Sequence, residues 1–261
     1  MRVTDAVTEA APGGVNEDLW LAGDDWALVL DGAGRYPGES GGCIHAVSWV
    51  VERLAENIGK GLSSHPTETL QTIVRDGIVA TMEDHGPSCD LSDPLSPGAA
   101  GAVVRHTGTH IEWLVVADCA AVIESPEKQY TAIIDDRVDR LPNAPITSTA
   151  VKTYSPEYVR TVRNQPGGFW VIGAVPGAAD HALTGCIPSA SVQRVLLCSD
   201  GVSRLTERYG WTWSGVFTAF DRGGADSLIR AVRASEVSDP KPDRWRGKRH
   251  DDATAVIVAA R

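Results

Sequence analysis

The apolar positions of this chain alternate between the spacing of strands and the spacing of helices. Residues 26–31 (WALVLD) form a short continuous apolar run stopped by Gly32, which predicts a strand buried on both faces and closed by a turn. From about 41 to 60 the period changes: Ile44, Val47, Val50, Val51, Leu54 and Ile58 recur at three and four, an amphipathic helix ending near Gly59 and Gly61. A second helix is predicted after Pro66, with Leu70, Ile73, Val74 and Ile78 on one face and its end by Gly86. Residues 86–98 are rich in Pro, Ser and Asp and read as a connecting loop.

Beyond that loop the pattern returns to strands. Runs at 102–106 and 110–117 flank Thr107-Gly108-Thr109 and predict a hairpin. Further strand-like runs lie at 122–123, 131–134, 169–172, 192–198 and 255–258, while 201–236 returns to helix. Helices grouped in two blocks, with strands first paired by a hairpin, argue against a doubly wound parallel sheet. The expectation is α+β: antiparallel sheets with helices packed on their outer faces.

Composition narrows the class. A chain of 261 residues, 43% hydrophobic and 22% charged, can bury a sizeable core, and residues 1–261 are read as a single domain. Its formal net charge of -10 opposes a polyanion at long range, so no nucleic-acid partner is expected. The first residues carry no apolar core of signal-peptide length and nowhere do 18 apolar residues run together, which predicts a cytoplasmic protein with no membrane partner. Five cysteines without a CxxC pair are read as buried free thiols in a reducing compartment.

Candidate chemistry sits where apolar runs stop. Asp31 follows WALVL, Asp118 follows WLVVA, Asp200 follows VLLCS, and Asp251 and Asp252 precede ATAVIVAA. One such aspartate is ordinary turn chemistry. Several ionised carboxylates converging on one sheet edge require cations, and oxygen-only donors favour Mg²⁺ or Mn²⁺ over zinc. His106 and His110 have the spacing of a helical zinc pair but flank a turn between strands, so they are not read as ligands.

The same positions resemble the metal-dependent Ser/Thr protein phosphatases of type 2C. The motifs stand in family order: Asn16-Glu17-Asp18, Val29-Leu30-Asp31-Gly32-Ala33-Gly34, Ala117-Asp118-Cys119, Cys198-Ser199-Asp200-Gly201-Val202, and His250-Asp251-Asp252-Ala253-Thr254 before an apolar strand. This resemblance implies a four-layer αββα sandwich, two antiparallel sheets flanked by helical layers. It also implies two ions of Mn²⁺ or Mg²⁺, bridged by Asp31, with the Gly32 carbonyl on one, Asp200 and Asp251 on the other, and Glu17 or Asp18 supporting the second. A hydroxide shared by the ions would attack phosphorus in line. The implied substrate is a phosphorylated protein, with a small phosphorylated metabolite, or a catalytically weak binding module of the same fold, as alternatives.

The departures bear on the phosphate-holding half. Where the family commonly carries a phosphate-gripping arginine stands Gly13, and Arg35, Lys248 and Arg249 are the candidate replacements, with Arg244 and Arg246 beside the latter two. The family histidine after the metal glycine is Ala33, leaving water or His250 to protonate the leaving group. The aspartate that helps a third ion in some members is replaced by Arg204, which argues against a third ion tied to Asp118.

Overall fold

A computed structural model describes residues 1–34, 36, 38–141, 146–148 and 152–260, with 146–148 and 152 described as backbone only. Its strands and helices in chain order are β1 (Arg2–Glu9), β2 (Asp18–Ala22), β3 (Trp26–Ala33), α1 (Val47–Ser64), α2 (Leu70–Asp84), β4 (Gly98–His106), β5 (His110–Val116), β6 (Ala120–Glu124) and β7 (Tyr130–Ile134). There follow β8 (Ile146–Ser148), β9 (Lys152–Tyr154), α3 (Pro156–Val162), β10 (Leu183–Pro188), β11 (Arg194–Cys198), α4 (Asp200–Glu207), α5 (Trp213–Gly223), α6 (Ala225–Ser238) and β12 (Ala253–Ala259).

Two antiparallel five-stranded sheets result, in orders β1-β12-β11-β6-β7 and β10-β5-β4-β3-β2, with β8 and β9 forming a small pair of their own. The period-2 geometry of strands sorts their side chains into separate cores. Ala27 and Val29 of β3 join Val195, Leu197, Val256 and Val258 between the sheets. Leu28 and Leu30 turn the other way, against Val50, Leu54 and Ile58 of α1 and Ile73 and Ile78 of α2. On the far side Leu196, Cys198, Ala255 and Ile257 pack under Val202, Phe217, Leu228 and Val232 of α4, α5 and α6. Helix, sheet, sheet and helix are therefore stacked in four layers, as expected. The continuous apolar run of β3 has its reason here, since both of its faces are covered.

Local expectations fared unevenly. The first helix begins at Val47 rather than 41, because Gly41 and Gly42 take left-handed φ of 61° and 66°, and Ile44 is 73% exposed instead of lying on a packed face. Strand β3 continues through Gly32 to Ala33 instead of closing at Gly32. Residues 169–172 are buried but join no named strand, making single bridges at Phe169 and Ile172. Strands β1, β2 and β10 were unread in the sequence, for they are half-buried and polar at many positions. No described helix is long and apolar enough to cross a membrane.

The layered packing makes a direct prediction. Leu28→Ala, at a fully buried position between β3 and the first helical layer, should lower unfolding free energy by about 2–5 kcal/mol in denaturant titration, whereas exposed Ile44→Ala should stay within about 0.5 kcal/mol.

Candidate metal centre

Alternation along β3 places Asp31 on the face of Ala27 and Val29, the one turned toward the opposite sheet. In register, Asp18 of β2 pairs directly with Asp31, so both carboxylates enter the same end of the intersheet gap. From the other sheet, Ser199 follows β11 and donates its hydroxyl to Asp18 Oδ2 at 2.7 Å, while Thr254 of β12 donates its backbone N–H to Ser199 Oγ at 3.0 Å. These bonds tie the strand ends of the two sheets together where the acidic residues gather.

Asp200 opens α4 and Asp251 precedes β12. Asp118 follows Ala117, which sits in a left-handed turn at φ 57° after β5. Burial raises the Asp31 carboxyl well above the usual range, and Asp18, Asp200, Asp118 and Asp251 push it further. Burial likewise drives Asp18 to about 7, with Asp200 and Asp252 adding to it against the Ser199 hydrogen bond. Asp118 is pushed up to about 7 by burial and Asp200, and Asp251 to about 6 by burial and Asp200 against Arg204 and Lys248. The sequence-predicted Asp18, Asp200 and Asp251 thus stand within electrostatic reach of Asp31, and so does Asp118.

Two glycines permit this convergence. A side-chain carbon on Gly32 would lie 2.6 Å from Val47 Cγ1 and 2.8 Å from the Glu17 carbonyl oxygen, so close approach of α1 and the Glu17 backbone excludes one, while the strand runs on through Gly32 without the turn expected there. At Gly201 the added carbon would overlap the carbonyl oxygen of Asp252. Asp252 itself, unremarked in the sequence as a site residue, accepts the backbone N–H groups of Ala11 and Glu17 at 2.8 Å each and so fixes the segment that carries Glu17 and Asp18.

Arginine 204 enters this centre from α4 and is fully buried. Its Nη2 lies 3.1 Å from Asp251 Oδ2 and 3.3 Å from Asp200 Oδ1, and its Nη1 donates to Glu236 Oε1 at 3.0 Å. Glu236, also fully buried, further accepts from Arg233 at 3.0 Å and from His250 Nδ1 at 2.7 Å. The guanidinium is held from behind by Glu236 and faces two of the predicted ligands. Sequence reading recognised the replacement of an acid by Arg204 but not this role.

The proposed phosphate-holding cations separate in space. Lys248 Nζ is 3.5 Å from Asp251 Oδ1, and burial works against its charge while Asp251, Glu17 and Asp252 sustain it. Arg249 donates to the carbonyls of Glu236 and Val237 at 3.2 Å. Arg244 pairs with Asp239 and Arg246 with Asp139, both at 2.7 Å. Arg35 lies outside the described residues. Gly13 occupies a turn at φ 77° with open space about it. A further cation near the centre was unread in the sequence: Arg163 is buried, approaches Gly98 beside Ala33 in register, and its Nη1 has no hydrogen-bond partner among the described residues.

The donors fit hard divalent cations. Asp18 Oδ1 is buried and lacks a hydrogen-bond partner among the described residues, an expensive arrangement unless something positive completes it. The side chains that raise the Asp31 carboxyl are themselves carboxylates, the oxygen chemistry of Mg²⁺ and Mn²⁺. On the Asp200 and Asp251 side, Arg204 already supplies one positive charge.

Residues 10–232 match the family described as Protein phosphatase 2C. The chain belongs to the protein phosphatase 2C family. A search among curated proteins found no match. Among solved structures, the fold resembles the PPM Ser-Thr phosphatase MsPP of Mycobacterium smegmatis, at TM-score 0.59 and 14% identity over 100% of both chains. The catalytic domain of the serine threonine protein phosphatase PstP, solved with two manganese ions, is similar at TM-score 0.53 and 17% identity, covering 97% of this chain and 95% of that one. A C. elegans sex determining protein aligns at TM-score 0.58 and 14% identity over 98% of this phosphatase, which spans 64% of that chain.

Two predictions follow the electrostatics of the phosphatase. Without a cation, carboxyls raised to about 6 and about 7 hold protons that the unfolded chain would shed near pH 4. The stability lent by those protons is full below about pH 4 and is lost as pH rises through about 6 to 7. Mn²⁺ needs the ionised forms, so its affinity should fall as pH drops from about 7.5 to about 5.5, with proton release visible as a buffer-dependent calorimetric heat; equal affinity across that range would contradict the clustering. Separately, Arg204→Ala removes the buried guanidinium shared by Glu236, Asp200 and Asp251, leaving Glu236 to Arg233 and His250 and Asp251 to Lys248, and should cost about 3 kcal/mol in thermal or denaturant unfolding.

Proposed function

We propose that the chain, acting as one domain, hydrolyses phosphoserine or phosphothreonine on proteins by a two-metal route. The observation that carries this reading is that Asp31 pairs in register with Asp18 and stands within electrostatic reach of Asp200 and Asp251, beside a buried Asp18 oxygen that lacks a partner among the described residues. Asp31 would be shared between the ions, with the Gly32 carbonyl and Glu17 or Asp18 on one side and Asp200 and Asp251 on the other. Two Mn²⁺ or Mg²⁺ ions would lower the pKa of a shared water so that a hydroxide is available near neutral pH, and would offset charge on the phosphoryl oxygens.

The protein's own residues have separate tasks. Asp252 holds the Glu17 and Asp18 backbone in place through two N–H groups, and Ser199 orients Asp18. Arg204 keeps Asp200 and Asp251 spaced and turned toward the gap, with Glu236 fixing the guanidinium. Lys248, exposed beside Asp251, would meet the incoming phosphate. Arg35 and Arg249 remain the other members of that proposed set.

A second reading, a small phosphorylated metabolite as substrate, draws on Gly13, where a turn glycine stands in place of a phosphate-gripping arginine. A panel of phosphopeptides against sugar and nucleotide phosphates separates the two by kcat/KM. For either substrate, Mn²⁺-dependent turnover of an aryl phosphate should fall at least about a hundredfold in Asp31→Asn and in Asp200→Asn, since each removes several kcal/mol of metal-borne stabilisation. Wild-type rates from both variants in excess chelator would overturn the reading.

A further inference from the structure

The segment between β3 and α1 and the loop after α2 come together at three soft donors. Cys43 Sγ lies 3.5 Å from His45 Nδ1, Cys89 Sγ lies 3.3 Å from the same nitrogen, and the two sulfurs are 3.5 Å apart. A zinc ion with bonds of about 2.3 Å to sulfur and about 2.0–2.1 Å to nitrogen sets tetrahedral edges of about 3.8 Å between sulfurs and about 3.6 Å between sulfur and nitrogen. All three observed edges fall within a few tenths of an ångström of those values. Cys43, His45 and Cys89 thus already mark one triangular face of such a tetrahedron.

Their surroundings hold that face in place. The Asp90 N–H donates to the Gly42 carbonyl at 2.6 Å, joining the two loops beside the sulfurs. His45 N–H points at Cys43 Sγ at 3.4 Å, against the burial and the neighbouring Cys89 that raise the Cys43 thiol. The His45 ring is stacked on Trp49 at 3.8 Å, and His85 stands edge-on to both rings at 5.3 and 5.0 Å. His85 Nδ1 donates to the Thr81 carbonyl at 2.7 Å, which anchors this second imidazole. Burial and the nearby His85 lower the His45 pKa. All three ligand residues are half-buried and both cysteines are free, so an ion can enter without unfolding the core.

We propose that Cys43, His45 and Cys89 form a binding site for Zn²⁺, with solvent in the fourth position, distinct from the carboxylate centre. Zinc displaces the two thiol protons and clips the loop after α2 to the segment that runs from Gly32 to Val47. Val47 packs at van der Waals range over Gly32, since a carbon added there would meet it at 2.6 Å. The clip therefore steadies the backbone on which the proposed Gly32 ligand lies. The donor types sort the metals: sulfur and imidazole take Zn²⁺, oxygen takes Mn²⁺ or Mg²⁺.

The test uses the full chain, reduced and stripped with chelator. Zn²⁺ added to one equivalent should block iodoacetamide alkylation of Cys43 and Cys89, mapped by peptide mass spectrometry, while exposed Cys186 keeps reacting. Co²⁺ in place of Zn²⁺ should produce a thiolate-to-cobalt charge-transfer band. Both readings should persist in Asp31→Asn, and the cobalt band should vanish in Cys43→Ser/Cys89→Ser. Unchanged alkylation of Cys43 and Cys89 in the wild-type protein with zinc, absence of the cobalt band, or loss of both readings in Asp31→Asn would overturn the proposal.

Discussion

The mutual repulsion of carboxylates at one end of the intersheet gap is the constraint around which the rest of this molecule is arranged. Asp18 and Asp31 arrive side by side from adjacent strands, and Asp118, Asp200 and Asp251 arrive from segments that flank other strands. Burial raises the cost of ionising Asp18, Asp31, Asp118 and Asp251, and the charges of Asp18, Asp118, Asp200 and Asp251 raise it further for Asp31. A fold assembled only for stability has no use for such a cluster, because apolar residues at the same places would pack without the penalty. On the proposed two-metal reading the penalty is tolerated because a divalent cation would reverse its sign. The three apolar cores make that possible, holding two sheets rigidly enough that their strand ends cannot drift apart.

Arg204 gives the centre an asymmetry. Its guanidinium lies against Asp200 and Asp251 with Glu236 as a buried counterpart, so that side carries a permanent positive charge, while the Asp18 and Asp31 side relies on what it binds. The same arrangement places His250 on Glu236 through Nδ1 rather than leaving that nitrogen free for the substrate. On the phosphate side Lys248 reaches Asp251, whereas Arg244, Arg246 and Arg249 are engaged by Asp239, Asp139 and helix carbonyls. The metal-facing and phosphate-facing halves are therefore built to different degrees from side chains of this chain.

Much of this was legible along the sequence, for identifiable physical reasons. An apolar run such as 26–31 reports a doubly covered strand, and an aspartate that ends it reports a strand-end carboxylate, because both signals are local. Helix α2 was legible through its period, and the two helical layers through their grouping. What was illegible depends on long-range contacts or on backbone sign. Arg204 meets Glu236 and Asp251, 32 and 47 residues away, so nothing near it reveals its burial. Left-handed Gly41 and Gly42 cut off the start of a helix that hydrophobic spacing extends across. The cysteines divide in the same way: Cys198 is buried in β11 and Cys119 just ahead of β6, but Cys43 and Cys89 find each other only across two loops, 46 residues apart.

The central claim is that the carboxylate cluster exists to hold divalent cations with Asp31 between them. Anomalous diffraction from crystals grown in Mn²⁺ tests this most directly. The account predicts manganese peaks on both sides of the Asp31 carboxylate, one toward Asp18 and the Gly32 carbonyl and one toward Asp200 and Asp251, with Arg204 still on Glu236. Crystals in which Asp31 contacts no manganese, and Arg204 alone neutralises the cluster, would contradict it.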